Sequence, residues 1–423
     1  MLAGEYPPRW GGLGTATHHL ASAMVAKGHQ VSVITRHMSW LGQGAYPATD
    51  LQGVEIYPVA WAPVPMAFTR SYGRAALRCL KRLHREKPID IVHLHCPMIA
   101  LTARQIRSIR AEIAPVVSTM HGTWLGEKDG LRLAARAGES SAWLNPNDLA
   151  ILFTARWFAR FERAAVQYSD LVIANSEATR QDLINRYSPP TEWRCEVVYC
   201  GIDPILFHPL DIEHEGEVND SLALRRRYQS SSSSIPGDIA SPFLLAVGRL
   251  AGRKGFRSLI RGMPGIVEKY PGVHLLIVGR GGMRSRLERD ARRLGILSNV
   301  SIESSMPFSD LAMAYRAADL VVHPALYEGQ GLIPLEAMAS GRPILAVNRP
   351  PLTEMVTNDV GRLFEPGDSG DITSVVCEIL ATPEVWTELG QTGRRLIDER
   401  NEFTQAGASE LMLSLYAEIK NKK

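Results

Sequence analysis

Little in this chain could build a covalent or metal-based frame. Its 423 residues include only five cysteines: Cys79, Cys96, Cys195, Cys200 and Cys377. The odd number, and the absence of any CxxC spacing, argue against a disulfide framework or a thiolate zinc site. Cys195 and Cys200 flank an expected strand and are read as packing residues. No HExxH or HxxxH spacing occurs and no Asp-x-Asp pair, so no metal site is expected. No apolar run reaches the ~18 residues of a membrane span and no signal peptide is evident, which makes the cytoplasm the expected compartment. The net charge of +3 is too small for a general nucleic-acid binder.

What is present suits an enzyme with real cores. Hydrophobic residues make up 45% and charged residues 22%, and the length favours two or three domains over one. Short apolar runs appear at Val31–Thr35, Val54–Val59, Ile89–Leu94, Val116–Thr119, Leu171–Ala174 and Glu196–Tyr199. Helical patterns lie between them, notably Thr15–Lys27, Arg70–Glu86, Ala150–Tyr168 and Glu177–Arg186. The rhythm restarts at Phe243–Val247, His274–Val278, Val300–Glu303, Leu320–His323 and Ile344–Val347. Strands alternating with helices imply parallel sheets covered on both faces. Between the halves, His208–Ile239 turns from acidic to basic and ends in Ser230–Ser234 and Pro236-Gly237, which reads as a linker with a flexible surface insertion.

The domains expected are therefore residues 1–207, a linker 208–240, residues 241–403, and a last helix in 404–423 carrying Leu411, Leu415, Tyr416 and Ile419 at helical spacing. Two Rossmann-like halves leave a cleft at the carboxyl ends of their strands, where ligands bind. Only Met1, Leu2 and Ala3 precede the glycine-rich stretch at Gly11–Gly14 as apolar residues for a first strand. That strand is expected to be a stub, or the native start to lie upstream.

The segment Glu328-Gly-Gln330-Gly331-Leu332-Ile333-Pro334-Leu-Glu336 follows one strand and opens a helix. Its glycines permit a tight loop, and Pro334 suits the first helical position. Free amides near Gly331, Leu332 and Ile333 would favour an anion. Carboxylates at Glu328 and Glu336 would accept hydrogen bonds from sugar hydroxyls. Taken alone, Glu336 would need to do no more than complement the helix dipole. In Val247-Gly-Arg249-Leu-Ala-Gly-Arg253-Lys254-Gly255, Arg249 and Lys254 stand at a strand's carboxyl end, where they would neutralise a departing diphosphate; Arg253 is read as exposed. In the first half, Gly12 and Gly14 lie in a turn before a helix starting near Thr15, and His121 follows the strand Val116–Thr119. A nicotinamide cofactor would want an acidic residue after the second strand; Arg36 stands there instead. His18, His19, His93 and His95 also fall in the first half. Arg70, Arg74, Arg78 and Arg82 repeat every four residues within Arg70–Lys87, an amphipathic basic helix that could rest on anionic lipid or be a solvated surface. Phe153, Trp157, Phe158 and Phe161 near Arg156 and Arg160 could line an acceptor region or a core.

Together these segments resemble the family-4 glycosyltransferases of the GT-B fold over nearly the whole chain. Glu328-GQGLIPL-Glu336 looks like that family's Glu-x7-Glu signature and VGR-LAGR-KG like its donor-phosphate motif, while IANSEATRQDL and YCGIDPILFHP match the run closing its N-terminal domain. The resemblance implies an α/β GT-B fold, two Rossmann-like domains facing across a cleft, with the C-terminal helix crossing back to the N-terminal domain. It implies a retaining, metal-independent hexosyl transfer by front-face attack, from a UDP-, GDP- or ADP-sugar to a glycan, lipid or small-molecule acceptor, with no cofactor beyond the donor. By it Arg249 and Lys254 hold the diphosphate, Glu336 the ribose hydroxyls, Glu328 the transferred sugar and His121 its distal hydroxyl, while Gly12 and Gly14 close over the phosphate. Glu5–Leu13 also resembles the Lys-x-Gly-Gly-Leu entry of glycogen and starch synthases, with Arg9 in the lysine's place. Arg9 and Gln330, which stands where the family usually has an aromatic residue, are candidates for donor or acceptor contact. Other readings are a GT-B sugar-nucleotide epimerase or phosphorylase, or a non-catalytic sugar-nucleotide-binding protein.

Overall fold

A computed structural model describes residues 1–8, 11–39, 46–50, 52–139, 145–229, 241–304 and 306–421. Arg9 and Ser230–Ser234 lie outside the described residues. The chain forms two units: Met1–Asp129 with Asn145–Gly201 and Glu402–Lys423, and Gly130–Leu144 with Ile202–Asn401.

The first unit holds a seven-stranded parallel sheet of β1 (Leu2–Ala3), β2 (Ser32–Arg36), β3 (Glu55–Val59), β4 (Val92–Cys96), β5 (Val116–Met120), β6 (Leu171–Ala174) and β7 (Cys195–Val197), in the order β3-β2-β1-β4-β5-β6-β7. Its helices are α1 (Gly12–Ala26), α2 (Ala67–Glu86), α3 (Ala103–Glu112), α4 (Trp124–Arg136), in which the unit boundary falls, α5 (Pro146–Tyr168) and α6 (Glu177–Tyr187). Strands β4, β5 and β6 are buried at every position, the mark of a sheet covered on both faces. The first strand is two residues long, yet it pairs with both β2 and β4 through Leu2.

The second unit opens with α7 (Glu215–Tyr228) and holds a six-stranded parallel sheet of β8 (Phe243–Val247), β9 (His274–Val278), β10 (Val300–Glu303), β11 (Leu320–His323), β12 (Ile344–Val347) and β13 (Gly361–Phe364), in the order β10-β9-β8-β11-β12-β13. Its remaining helices are α8 (Phe256–Lys269), α9 (Arg284–Arg293), α10 (Phe308–Ala317), α11 (Ile333–Ala339), α12 (Leu352–Met355), α13 (Ser369–Leu380) and α14 (Pro383–Glu399). The last helix, α15 (Gln405–Asn421), belongs to the first unit. Its Met412, Leu415 and Ile419 join Ala3, Ala21, Met24 and Val33 in one core.

Three local readings change and one gains detail. Helix α1 begins at Gly12, three residues earlier than the pattern near Thr15 suggests, because Gly11 takes an extended conformation and caps it. Arg36, noted from sequence only for standing where an acid would be wanted, has a structural role: it is buried, its Nε donates to Gly4 O at 2.5 Å, and its guanidinium lies over Trp61 and Phe68. The segment 208–240 is not all flexible linker. Within it α7 inserts Arg225, fully buried, against Asp319 at 3.1 Å, and the same guanidinium donates to Ala317 O and Ser241 O. Finally, Gly130–Leu144 groups with the second unit rather than with the rest of 1–207. Helix α8 starts at a glycine cap that offers no side chain, and Glu139 supplies the missing acceptor, taking the amides of Ser258 at 2.7 Å and Arg257 at 2.9 Å.

The Arg225–Asp319 pair carries a prediction. Removing one partner strands a buried charge, so Arg225→Met should lower stability by about 3–5 kcal/mol in chemical denaturation. The double variant Arg225→Met/Asp319→Leu should recover at least half of that loss, because no charge is then left buried.

Candidate active site

In the second sheet the strand order reverses between β8 and β11, the place where an open parallel sheet leaves a crevice at its carboxyl ends. Both functional segments emerge there. After β8 the chain makes a short 3-10 turn at Gly252–Lys254 and enters α8 through Gly255. After β11 it runs through Glu328 to α11. The two loops are stitched together: Leu326 N donates to Arg253 O at 2.9 Å. Gly255 has φ +71°, and a Cβ there would sit 1.9 Å from Pro324 O, so only glycine fits.

This contact brings Lys254 to Glu328. The ammonium donates to Glu328 Oε1, and His323 Nε2 approaches the same oxygen at 3.1 Å. A carboxylate accepts only, so His323 carries its proton on Nε2. Burial pushes the Glu328 carboxyl up, but Lys254 and His323 outweigh it and hold the group well below the usual carboxylate range. Glu328 is therefore ionised. Both bonds fall on Oε1, which leaves Oε2 with no hydrogen bond to a described residue. Arg249 is exposed and makes no ion pair with a described residue, and its charge acts on Lys254. Arg253, expected to be exposed, is half-buried and engaged.

Glu336 sits in the first turn of α11, half-buried. Its Oε2 accepts the Tyr315 hydroxyl at 2.6 Å, and Oε1 has no bond to a described residue. Burial raises its pKa to about 7 against the lowering effect of Tyr315. Between the two acids Gly331 takes φ +97°, a left-handed turn that turns the chain into the helix. The amides of Leu332 and Ile333 have no acceptor among the described residues, and Pro334 follows within the first turn. Gln330 is buried and engaged within the protein. The arrangement can hold a negative charge on Lys254 and Arg249 and accept hydroxyl protons on two carboxylates.

The N-terminal candidates form a separate group in the first unit. Gly12 and Gly14 are first-turn residues of α1, and a Cβ on Gly12 would meet nothing within 4 Å. His121 directly follows β5, and its amide donates to Cys96 O at 3.0 Å. Its Nε2 lies 3.1 Å from His95 Nδ1. Burial lowers its pKa to about 4, so the ring is neutral at neutral pH. Sequence reasoning singled out His121 but gave His95, His323 and Tyr315 no role. The only sequence signal for His95 was its place at the end of a strand.

On α2, Arg70 turns inward and donates to Ala100 O and Gln105, while Arg74, Arg78, Arg82 and Arg85 are exposed. Of the α5 aromatics, Phe158 and Phe161 are buried, whereas Phe153 is 71% and Trp157 47% exposed, with the Arg160 guanidinium 3.8 Å from the Trp157 ring. All five cysteines are free. Among the described residues, no group of three or more His, Cys, Asp or Glu could hold a metal ion, and no helix is long and apolar enough to cross a membrane.

Known proteins share this arrangement of the chain. The family profile described as Glycosyltransferase Family 4 matches residues 10–205, and that of the Glycosyl transferases group 1 matches residues 234–396. Glycogen synthase of Mycobacterium tuberculosis is 28% identical over 399 residues, covering 90% of this chain and 86% of the relative. Among solved structures, sucrose-phosphate synthase from Thermosynechococcus elongatus matches with a TM-score of 0.78 at 21% identity, over 100% of this chain and 96% of the other. Anabaena HepE, solved with UDP and glucose, matches with a TM-score of 0.69 at 19% identity, over 98% of both chains. The solved structures establish the fold and the two profiles establish the family. The chain belongs to the family-4 glycosyltransferases, enzymes built on the GT-B fold of two parallel-sheet units.

Proposed function

We propose that this enzyme moves a hexosyl group from a nucleotide-sugar (UDP-, GDP- or ADP-linked) to a glycan, lipid or small-molecule acceptor, with retention of configuration and without a metal. The observation that carries the reading is the pair Glu328 and Glu336, each anchored through one oxygen with the other unbonded among the described residues, with Lys254 bonded to Glu328 and the Arg249 charge acting on Lys254. In this reading the second Glu328 oxygen accepts from the transferred sugar and the open Glu336 oxygen from the ribose. His121, in the first unit, contacts a distal sugar hydroxyl. The bond from the anomeric carbon to the phosphate oxygen breaks, the acceptor oxygen bonds that carbon from the same face, and the acceptor's proton passes to the leaving phosphate. Negative charge grows on the diphosphate as it leaves, and in this reading Lys254 and Arg249 offset it. The UDP and glucose bound to Anabaena HepE, and the glycogen synthase relative, favour a nucleotide-sugar donor. The exposed cations of α2, Arg74, Arg78, Arg82 and Arg85, extend the proposal to peripheral contact with an anionic membrane face.

A thermal-shift panel of UDP-, GDP- and ADP-sugars tests the donor site, since a bound ligand raises the melting point by mass action. At least one should raise it, and Lys254→Ala with Glu336→Ala should abolish that shift; a shift that survives both substitutions defeats the assignment. In kinetics, Lys254→Ala should cost about a hundredfold in kcat/KM, or ~2.7 kcal/mol. A loss under threefold in a folded variant rules out its role on the diphosphate.

Glu336 sets a pH dependence. Its folded pKa is about 7, raised by burial, and only the ionised form accepts at both oxygens, from Tyr315 at one and from a ribose hydroxyl at the other. Donor affinity should be full above that value and weaken as pH falls through it, by up to about tenfold per unit. Titration calorimetry of Glu336→Gln should give weaker binding with a flat profile over the same range. For the membrane face, flotation with phosphatidylserine vesicles should fall several-fold in Arg74→Glu/Arg78→Glu, and no difference from wild type would remove that part of the proposal.

A further inference from the structure

In the first unit the strand order reverses between β1 and β4, and three imidazoles stand in file beside that point. His93 and His95 alternate onto one face of β4, with ring centroids 4.3 Å apart and stacked; His121, after β5, stacks on His95 at 5.4 Å. Burial lowers the pKa of all three, so each ring is neutral and has one N–H and one bare nitrogen.

The proton positions follow from the neighbours. Thr17 has one hydroxyl proton, and it goes to Leu13 O at 2.9 Å. The Thr17 oxygen can therefore offer only a lone pair to His95 Nδ1, 3.3 Å away. His95 Nδ1 must carry the proton, and it directs that proton at His121 Nε2, 3.1 Å away. His121 Nε2 then accepts, which moves the His121 proton to Nδ1. No described residue bonds to that Nδ1. The opposite choice sets the Thr17 lone pair against a bare His95 Nδ1 and leaves a buried N–H on His95 Nε2, an atom with no partner. Orphaned buried N–H groups are rarer than unused acceptors.

We propose that His95 is a positioning residue: it holds His121 in the Nδ1–H tautomer, so that His121 meets the donor sugar as a hydrogen-bond donor to a hydroxyl oxygen. The consequence for sugar transfer rests on the function proposed above, whereas the tautomer itself does not. Thr17 belongs to the same device, as the group that keeps His95 from reversing. Because the proton order is set inside the first unit, it exists before any sugar arrives.

The test uses the full chain labelled with 15N-histidine, with His121→Gln to assign the His121 signals. Long-range 1H–15N spectra at neutral pH should show His121 protonated at Nδ1 and bare at Nε2. His95→Asn, whose amide N–H replaces the Nδ1–H, should keep that spectrum and hold kcat within threefold of wild type. His95→Asp, which puts an acceptor there, should move the His121 proton to Nε2 and lower kcat at least tenfold with KM changed less than threefold. A wild-type His121 protonated at Nε2 overturns the proposal, even if neither variant folds. So does equal loss of kcat in the two variants with the His121 spectrum unchanged. If no nucleotide-sugar supports turnover, the transferase reading fails while the spectra still decide the part played by His95.

Discussion

A half-buried ion pair organises the candidate site of this enzyme. Lys254 and Glu328 stand on loops that leave adjacent parallel strands, β8 and β11, on either side of the point where the sheet reverses. No crossover helix covers a sheet at such a point, so the crevice stays open and polar groups collect there. Neither charge would be tolerable alone in that setting. Paired, they anchor one Glu328 oxygen, leave the other available, and join the loop before α8 to the loop before α11. The position of Lys254 is reinforced by the Gly255–Pro324 contact, which no larger residue would permit.

Supports further out serve the same elements. Glu139 caps α8 from 118 residues away in sequence, and Arg225 closes the base of the second sheet by holding Asp319, which also accepts the amide of Phe243 at the start of β8. The loops that carry Lys254 and Glu328 are thus flanked by helices and strands whose own ends are satisfied by distant side chains. The first unit is organised differently. Along β4 and just after β5 it carries neutral imidazoles, desolvated and ordered by hydrogen bonds, with Tyr416 of α15 bonded to His93 at 2.5 Å. One unit presents fixed charge and the other a directed N–H. Anion binding and hydroxyl recognition need those two kinds of group respectively.

Legibility followed the range of the interaction. Strands buried on both faces appear as unbroken apolar runs, so strands such as Phe243–Val247 and His274–Val278 could be placed to within a residue or two. β1, two residues long, and β13, where Gly361 and Arg362 interrupt the apolar character, gave weaker signals. Glycine and proline marked the entry to α11 because backbone conformation is a local property. Helix α7 was masked by its charge: its anchor is an arginine, which reads as surface until Asp319 is known to lie beneath it. The structural role of Arg36 was hidden for the same reason, as its carbonyl partner, Gly4, lies 32 residues away.

By itself the sequence determined the two αβ repeats, the spacing of Glu328 and Glu336, and the cations Arg249 and Lys254 after a strand, since each rests on periodicity or on neighbours along the chain. Only the tertiary structure decided how those groups are used. It paired Lys254 with Glu328 across 74 residues, left one oxygen open on each acid, and set His95 against His121 across 26. Protonation and tautomer depend on burial and on partners brought together by the sheet order, and neither is written in any local stretch of chain.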